Sequence, residues 1–341
     1  MRKWIYIIFG IIFSLYLLVS FNDFHWGIAL LSALFFPIFL LVFLHKIDVF
    51  EREKFKNLFT VFLLSFITSF ICCFLWVPIR EQLLGGLNEG FISNLLGAGL
   101  PEEIIKILPV IIILKRTKYI NEPIDYLIYA SSSALGFAFI ENIDYIYDFK
   151  ESSPNIIACR SLLPTFMHMT CTSIFAFGIF FFQETGKIKY LIGFYLFASF
   201  NHALYNAYLS YILIFFSIIY YSRLMRSLLN ISPFYDEKKI ILLKKGQYIL
   251  GFAFIILHVI NVVFINFYSN YFKTEITSQI WFNDFIFILT AFIFHKIVSR
   301  NLKINKGEFK ILGKKRIRLL SNLQQIVIDN YYAKFKDINE I

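Results

Sequence analysis

Long apolar runs alternate with short polar segments along most of the chain. The runs cover residues 4–21, 26–44, 58–79, 91–114, 124–147, 164–182, 248–268 and 281–298. Each can cross a hydrocarbon layer of ~30 Å as a helix rising about 1.5 Å per residue. The first run follows Met1-Arg2-Lys3 and leads into Asn22-Asp23 without a small-residue cleavage site. It therefore reads as an uncleaved span rather than a signal peptide. Residues 188–221 form one longer run, and loop charge decides how it crosses. Basic residues gather in alternate loops: Lys46, Arg52, Lys54 and Lys56, then Lys115, Arg116 and Lys118, then Lys187 and Lys189. Two crossings within 188–221, turning near 206–210, keep the basic 222–247 loop and the C-terminal tail on that same side, as the positive-inside rule requires. The pattern predicts an all-α polytopic membrane protein of about ten spans, with both termini cytoplasmic.

Four regions follow from this reading. Residues 1–90 hold the first three spans, 91–221 a membrane core, 222–298 a loop and two further spans, and 299–341 a basic tail. Composition agrees. Hydrophobic residues make up 58% of the 341 residues and charged residues only 16%. Soluble domains carry about 25% charge, so a soluble enzyme, a disordered chain and a secreted mini-protein are excluded. The net charge of +10 lies mostly in loops and in the tail. The tail mixes Ile, Leu and Tyr with Lys and Arg over 311–335, the composition of an amphipathic helix lying on the cytoplasmic leaflet. The expected partner is therefore the lipid bilayer and not nucleic acid. Cys72, Cys73, Cys159 and Cys171 form no CxxC, which gives no basis for a disulfide framework or a thiolate metal cage.

Ionisable groups inside spans are costly and are usually functional or paired. Here they come at helical spacing. Glu102 and Lys106 are four apart, with Glu103 beside them; Phe137 and Glu141 are four apart, with Asn142 beside them; His168 and Thr172, and His202 and Asn206, repeat the interval. Residues four apart share a helix face. Counted from the cytoplasmic edges of their spans, Glu102 and His202 lie about 20 Å up, Glu141 about 25 Å and His168 about 24 Å. Four helices running in alternating directions thus bring their polar groups to one level in the outer half of the bilayer.

Carboxylates and imidazoles at one level suit hydrolysis. A glutamate can act as general base on water, a second carboxylate can hold the proton or orient the water, and His or Asn can donate to an oxyanion. Glu103, Glu141, His168 and His202 could instead ligate Zn²⁺, although HExxH is absent. Taken singly, each group has a plainer reading: Glu102–Lys106 as a structural ion pair, Glu141 as an interfacial residue, His168 as a core histidine, and His202–Asn206 as a helix–helix contact. His258 reads as structural.

Glu102-Glu103-x-x-Lys106, Phe137-x-x-x-Glu141-Asn142, Arg160 followed by His168-x-x-x-Thr172, and His202-Ala203-Leu204-Tyr205-Asn206 resemble the motifs of the PrsW intramembrane proteases. That family lies within a wider superfamily of CAAX-processing and bacteriocin-processing membrane proteases. The similarity covers roughly residues 90–210. It implies cleavage of a membrane-anchored, single-span protein such as an anti-sigma factor near the extracytoplasmic face, the first cut of regulated intramembrane proteolysis. It implies a catalytic set of Glu102, Glu103, Glu141, His168, His202 and Asn206, with Lys106, Asn142 and Thr172 in support. The cofactor is either none or Zn²⁺, with metal-free glutamate catalysis preferred. Glu141 stands where the wider superfamily often has His. The other function classes compatible with the sequence are an ion-coupled transporter using the same carboxylates, and a non-catalytic immunity or partner-binding membrane protein.

Overall fold

A computed structural model describes residues 24–85, 90–148, 163–208 and 211–240, with isolated positions from 263 onward. The described residues are helical and contain no strand. The helices are α1 (Phe24–Ile47), α2 (Phe55–Leu84), α3 (Phe91–Asn94), α4 (Leu100–Arg116), α5 (Pro123–Asp148), α6 (Leu163–Thr185), α7 (Ile188–Tyr208) and α8 (Tyr211–Asn230). A π-helical turn, Leu95–Gly99, joins α3 to α4, and a short 3₁₀ turn, Glu237–Lys239, follows α8. Three stretches among the described residues are long and apolar enough to cross a membrane: Phe55–Cys72, Pro123–Tyr145 and Pro164–Thr185. The run at 4–21, Arg160 and His258 lie outside the described residues, as do all but isolated positions of the runs at 248–268 and 281–298 and of the 311–335 tail.

Residues 188–221 fall on two helices, the first ending at Tyr208 and the second starting at Tyr211. The second runs on to Asn230, so the segment expected to be a loop from 222 begins as helix. The cause is the buried row Tyr221, Leu224, Met225, Leu228 and Leu229. Its three- and four-residue spacing keeps one face on the core and outweighs the charges of Arg223 and Arg226.

The bundle is organised around α5, whose spanning stretch is wholly interior and which packs on α1, α2, α4, α6 and α8. Ser131, Ser132 and Ser133 explain how it holds so many neighbours. Successive helical residues point about 100° apart. Ser131 Oγ meets Ser173 Oγ of α6 at 3.0 Å and Tyr221 of α8 at 2.9 Å. Ser132 donates to the Leu58 carbonyl of α2 at 2.7 Å, and Ser133 to the Lys106 carbonyl of α4 at 2.5 Å. Small hydroxyl residues let helices approach closely and tie them across the interface. Gly136, one turn along, lies against α2: a Cβ there would sit 2.2 Å from the Phe62 carbonyl oxygen.

The outside of the bundle shows the inverse polarity. On α7, Ile188, Ile192, Leu196 and Phe200 form an exposed apolar row, while Ser199, His202 and Ala203 are buried. An apolar exterior over a polar interior is the pattern of a helix facing lipid. At one end of the bundle, Asn230 binds the 305–308 segment: its Nδ2 donates to the Glu308 carbonyl at 2.6 Å, and its Oδ1 accepts from Asn305 N at 2.9 Å. Lys239 reaches across that end to the Phe50 carbonyl at 2.5 Å.

The α2–α5 contact gives a direct test. Gly136→Ala forces a methyl group against backbone and is expected to cost about 1–3 kcal/mol, read as a lower thermal midpoint in detergent. An unchanged midpoint would contradict this packing.

Candidate active site

Local sequence prepares the start of α4. Pro101 has no N–H to give the Gly97 carbonyl, which a regular helix would use; Trp76 Nε1 donates to that carbonyl instead, at 2.9 Å. Tyr195 of α7 donates to the Leu100 carbonyl at 3.0 Å. Gly99 presses on α7 so closely that a Cβ would lie 2.5 Å from the Ser199 carbonyl oxygen. Glu102 and Glu103 are thereby set against α7 at the level of His202.

Lys106 stands at the centre. It is fully buried, and its Nζ lies 3.0 Å from Glu103 Oε1, 3.3 Å from Glu102 Oε2, 2.8 Å from His168 Nδ1 and 3.4 Å from His202 Nδ1. The Phe137 ring covers the ammonium with its centroid 4.2 Å away, a cation–π contact. An ammonium has only hydrogens to give, so His168 Nδ1 accepts and the ring carries its proton on Nε2. That nitrogen donates to Glu141 Oε2 at 2.7 Å.

Glu103 is sealed in. Oε1 is 3.0 Å from His202 Nδ1 as well as from Lys106, and Oε2 accepts from Thr172 Oγ1 at 2.9 Å. Glu102 and Glu141 keep 16% and 19% of their side chains exposed, against 0% for Glu103. The His168 and His202 rings stand perpendicular, with centroids 5.0 Å apart. His202 Nε2 is buried, makes no hydrogen bond, and lies 3.5 Å from Glu102 Oε2.

The structure thus brings Glu102, Glu103, Lys106, Glu141, His168, Thr172 and His202 into one cluster drawn from four helices. Asn142 points elsewhere, donating to Thr165 Oγ1 at 3.2 Å. Asn206, one turn beyond His202, lines a neighbouring cavity of about 720 Å³ together with Arg80, Glu81, Asn94 and Ala98. Trp76 and Ser133 hold the backbone of the motif helix and belong to no motif of the sequence; the proline four residues after Gly97 is the available signal for the former.

Glu102, His168 and His202 each offer a ligand atom within 4.8 Å of the others. One carboxylate and two imidazoles are a donor set suited to Zn²⁺. The unpartnered His202 Nε2 and the cation already seated among these donors show that the cluster accepts positive charge. Of the carboxylates expected as ligands, Glu103 and Glu141 are instead hydrogen-bonded to Lys106, Thr172 and His168, and Glu102 joins the two imidazoles. The residues fit a metal ion of this class, on the condition that Lys106 releases His168 Nδ1, since one lone pair serves one partner.

Fold and site together define a helical membrane protein with a buried glutamate–histidine–lysine centre. The model of the family described as PrsW family intramembrane metalloprotease matches residues 53–229, and the chain belongs to that family. It is 35% identical over 101 residues to "Protease PrsW" of Clostridioides difficile (strain 630), covering 29% of this chain and 42% of that protein. It is 29% identical over 179 residues to "Protease PrsW" of Geobacillus kaustophilus (strain HTA426), covering 51% and 69% respectively. The chain thus spans less than half the length of the first of these relatives. No solved structure matches it.

Removing Lys106 tests the centre without reference to activity. Lys106→Met strands two carboxylates and is expected to cost about 3–5 kcal/mol. Adding Glu103→Gln should recover part of that loss, because the two residues are in contact. Strictly additive losses in thermal unfolding would show that they do not interact.

Proposed function

We propose that this chain is an intramembrane protease that hydrolyses a peptide bond of a membrane-anchored substrate near the extracytoplasmic face. The observation that carries the reading is the pairing of a partly exposed carboxylate, Glu102, with an unpartnered imidazole nitrogen, His202 Nε2, 3.5 Å away. His202 Nε2 has no other partner, and Glu102 shares Oε2 with Lys106 Nζ at 3.3 Å while part of its side chain reaches solvent. A water and a carbonyl carbon meeting there would have a base on one side and a hydrogen-bonding ring on the other.

Glu102 takes the proton from the attacking water. His202, whose Nδ1–H points at Glu103 Oε1, presents a bare Nε2 that accepts the other hydrogen of that water. Glu141 holds the His168 ring through Nε2, and Thr172 and Lys106 hold Glu103, which in turn fixes His202 through Nδ1. Lys106 offsets the negative charge that would otherwise accumulate. A metal ion bound by Glu102, His168 and His202 would make water more acidic and polarise the scissile carbonyl. The cavity lined by Asn206 is the proposed entry for the substrate segment.

The same reading assigns the chain about ten spans, with the site in a core of four helices and the termini cytoplasmic. It keeps 1–90, 91–221, 222–298 and 299–341 as its regions. Support for the orientation comes from one end of the bundle: the 48–53, 122, 230–239 and 305–308 segments meet there, and all of them belong to the loops and the tail that the charge rule assigns to the inside. The substrate class is a single-span protein of the anti-sigma-factor kind, as the family resemblance implies.

Purified Glu102→Gln and His168→Ala proteins should remain folded, yet cleave a co-expressed single-span substrate at least ~100-fold more slowly. Cleavage at the wild-type rate by both would remove the assignment. Chelator treatment with Zn²⁺ rescue separates the two cofactor readings: rescue supports the metal, and full activity after metal removal supports glutamate catalysis alone.

A further inference from the structure

Three carboxylates that this chemistry leaves unused meet at the other end of α5. Asp48 follows α1, Glu122 precedes α5 and Asp125 lies in its first turn. All three are fully buried, and each offers an oxygen within 4.8 Å of the others. Every one of them commits one oxygen to the fold. Asp48 Oδ2 accepts from Glu53 N at 2.6 Å. Asp125 Oδ2 accepts from Asn121 N and Glu122 N, both at 2.9 Å. Glu122 Oε2 accepts from the Ser232 hydroxyl. The remaining oxygens, Asp48 Oδ1, Glu122 Oε1 and Asp125 Oδ1, are shut off from solvent and have no hydrogen-bond partner. Among the described residues no Lys, Arg or His forms an ion pair with any of the three.

Buried polar atoms are normally satisfied, and buried charges are paired or bound to metal. Arg52 bonds the Asp48 backbone carbonyl at 3.4 Å and none of these oxygens, so three orphaned carboxylate oxygens at one point call for a bound cation or for shared protons. The set contains only oxygen donors, which favours hard cations of the Ca²⁺ and Mg²⁺ kind over Zn²⁺. It differs in this from the glutamate–histidine centre. The Asp48 and Ser232 positions also lie beyond the 53–229 stretch that the family model matches.

We propose that Asp48, Glu122 and Asp125 form a binding site for a hard divalent cation, which clasps the segment after α1 to the start of α5. Through Glu122 and Ser232 the same ion draws in the chain after α8. The competing source of positive charge is protons: burial pushes the Asp48 carboxyl up to about 7 and raises that of Glu122 as well.

The test uses the full-length protein in detergent, stripped with chelator and returned to Ca²⁺ alone or Mg²⁺ alone. Calorimetric titration and thermal unfolding are the readouts. The site predicts uptake of about one ion per chain, with a midpoint raised by roughly 5 °C or more. His168→Ala, which removes a donor from the other cluster, should bind that ion as the wild type does. Glu122→Gln and Asp48→Asn should bind it at least ~10-fold more weakly. Equal binding by these carboxamide variants would overturn the proposal. So would a wild-type chain that takes up neither ion, the result expected of shared protons. Should both variants fail to fold, the wild-type titration alone decides.

Discussion

A single buried ammonium organises the membrane core. Lys106 has no solvent to turn to, and its neighbours are two carboxylates, two imidazoles and an aromatic face. Placing a charge in a low-dielectric interior costs several kcal/mol unless partners are in place. The partners come from α4, α6 and α7, with α5 supplying the ring, so the cost is met only when four helices are assembled together. A charge that would destabilise an isolated helix in the bilayer thereby specifies which helices pack, and at what level. It also fixes the His168 tautomer, and through it the link to Glu141.

That arrangement depends on backbones lying very close. Gly99 against α7 and Gly136 against α2 leave no space for a side chain. The three serines of α5 reach three separate sides of the bundle. Lipid tails give no hydrophobic drive for helices to associate, so contacts of this kind carry the association. The site is placed by ordinary helix packing, and its polar groups then gain the dry surroundings in which their electrostatics are strong.

Much of the centre was legible in the chain because a helix converts spacing into direction. Glu102 and Lys106, or His168 and Thr172, had to share faces, and counting residues from the basic loops set them at one depth. What spacing does not contain is which atom meets which. Glu103, adjacent to Glu102, turns inward to Thr172 and His202, leaving Glu102 as the carboxylate with water access. Asn142 and Asn206 keep the expected spacing, yet Asn142 donates to Thr165 and Asn206 lines the neighbouring cavity. The end of α8 departs from the expected loop for a related reason: Arg223 and Arg226 suggest a loop, but the buried apolar row from Tyr221 to Leu229 decides. Asp48, Glu122 and Asp125 gave no signal at all. A carboxylate in a short polar segment next to a span ordinarily faces water, and only tertiary packing buries these three.

The central helix thus ends in two polar clusters of different chemistry. Asp125 and Glu141 are sixteen residues apart, about 24 Å along the axis, with the serine belt and an apolar interior between them. At the Glu141 end, nitrogen and oxygen donors mix, two carboxylates remain partly exposed, and a cavity lies alongside; groups there can exchange protons with water. At the Asp125 end every donor is oxygen, each carboxylate is enclosed, and half of its capacity is already committed to backbone N–H or hydroxyl groups. An environment of that kind suits holding and not turnover. Because the enclosed end joins the segment after α1, the start of α5 and the chain after α8, charge balance there governs how firmly α5 is anchored. The depth and angle at which Glu141 is presented to His168 follow from that anchoring, so the frame and the chemistry meet in one helix.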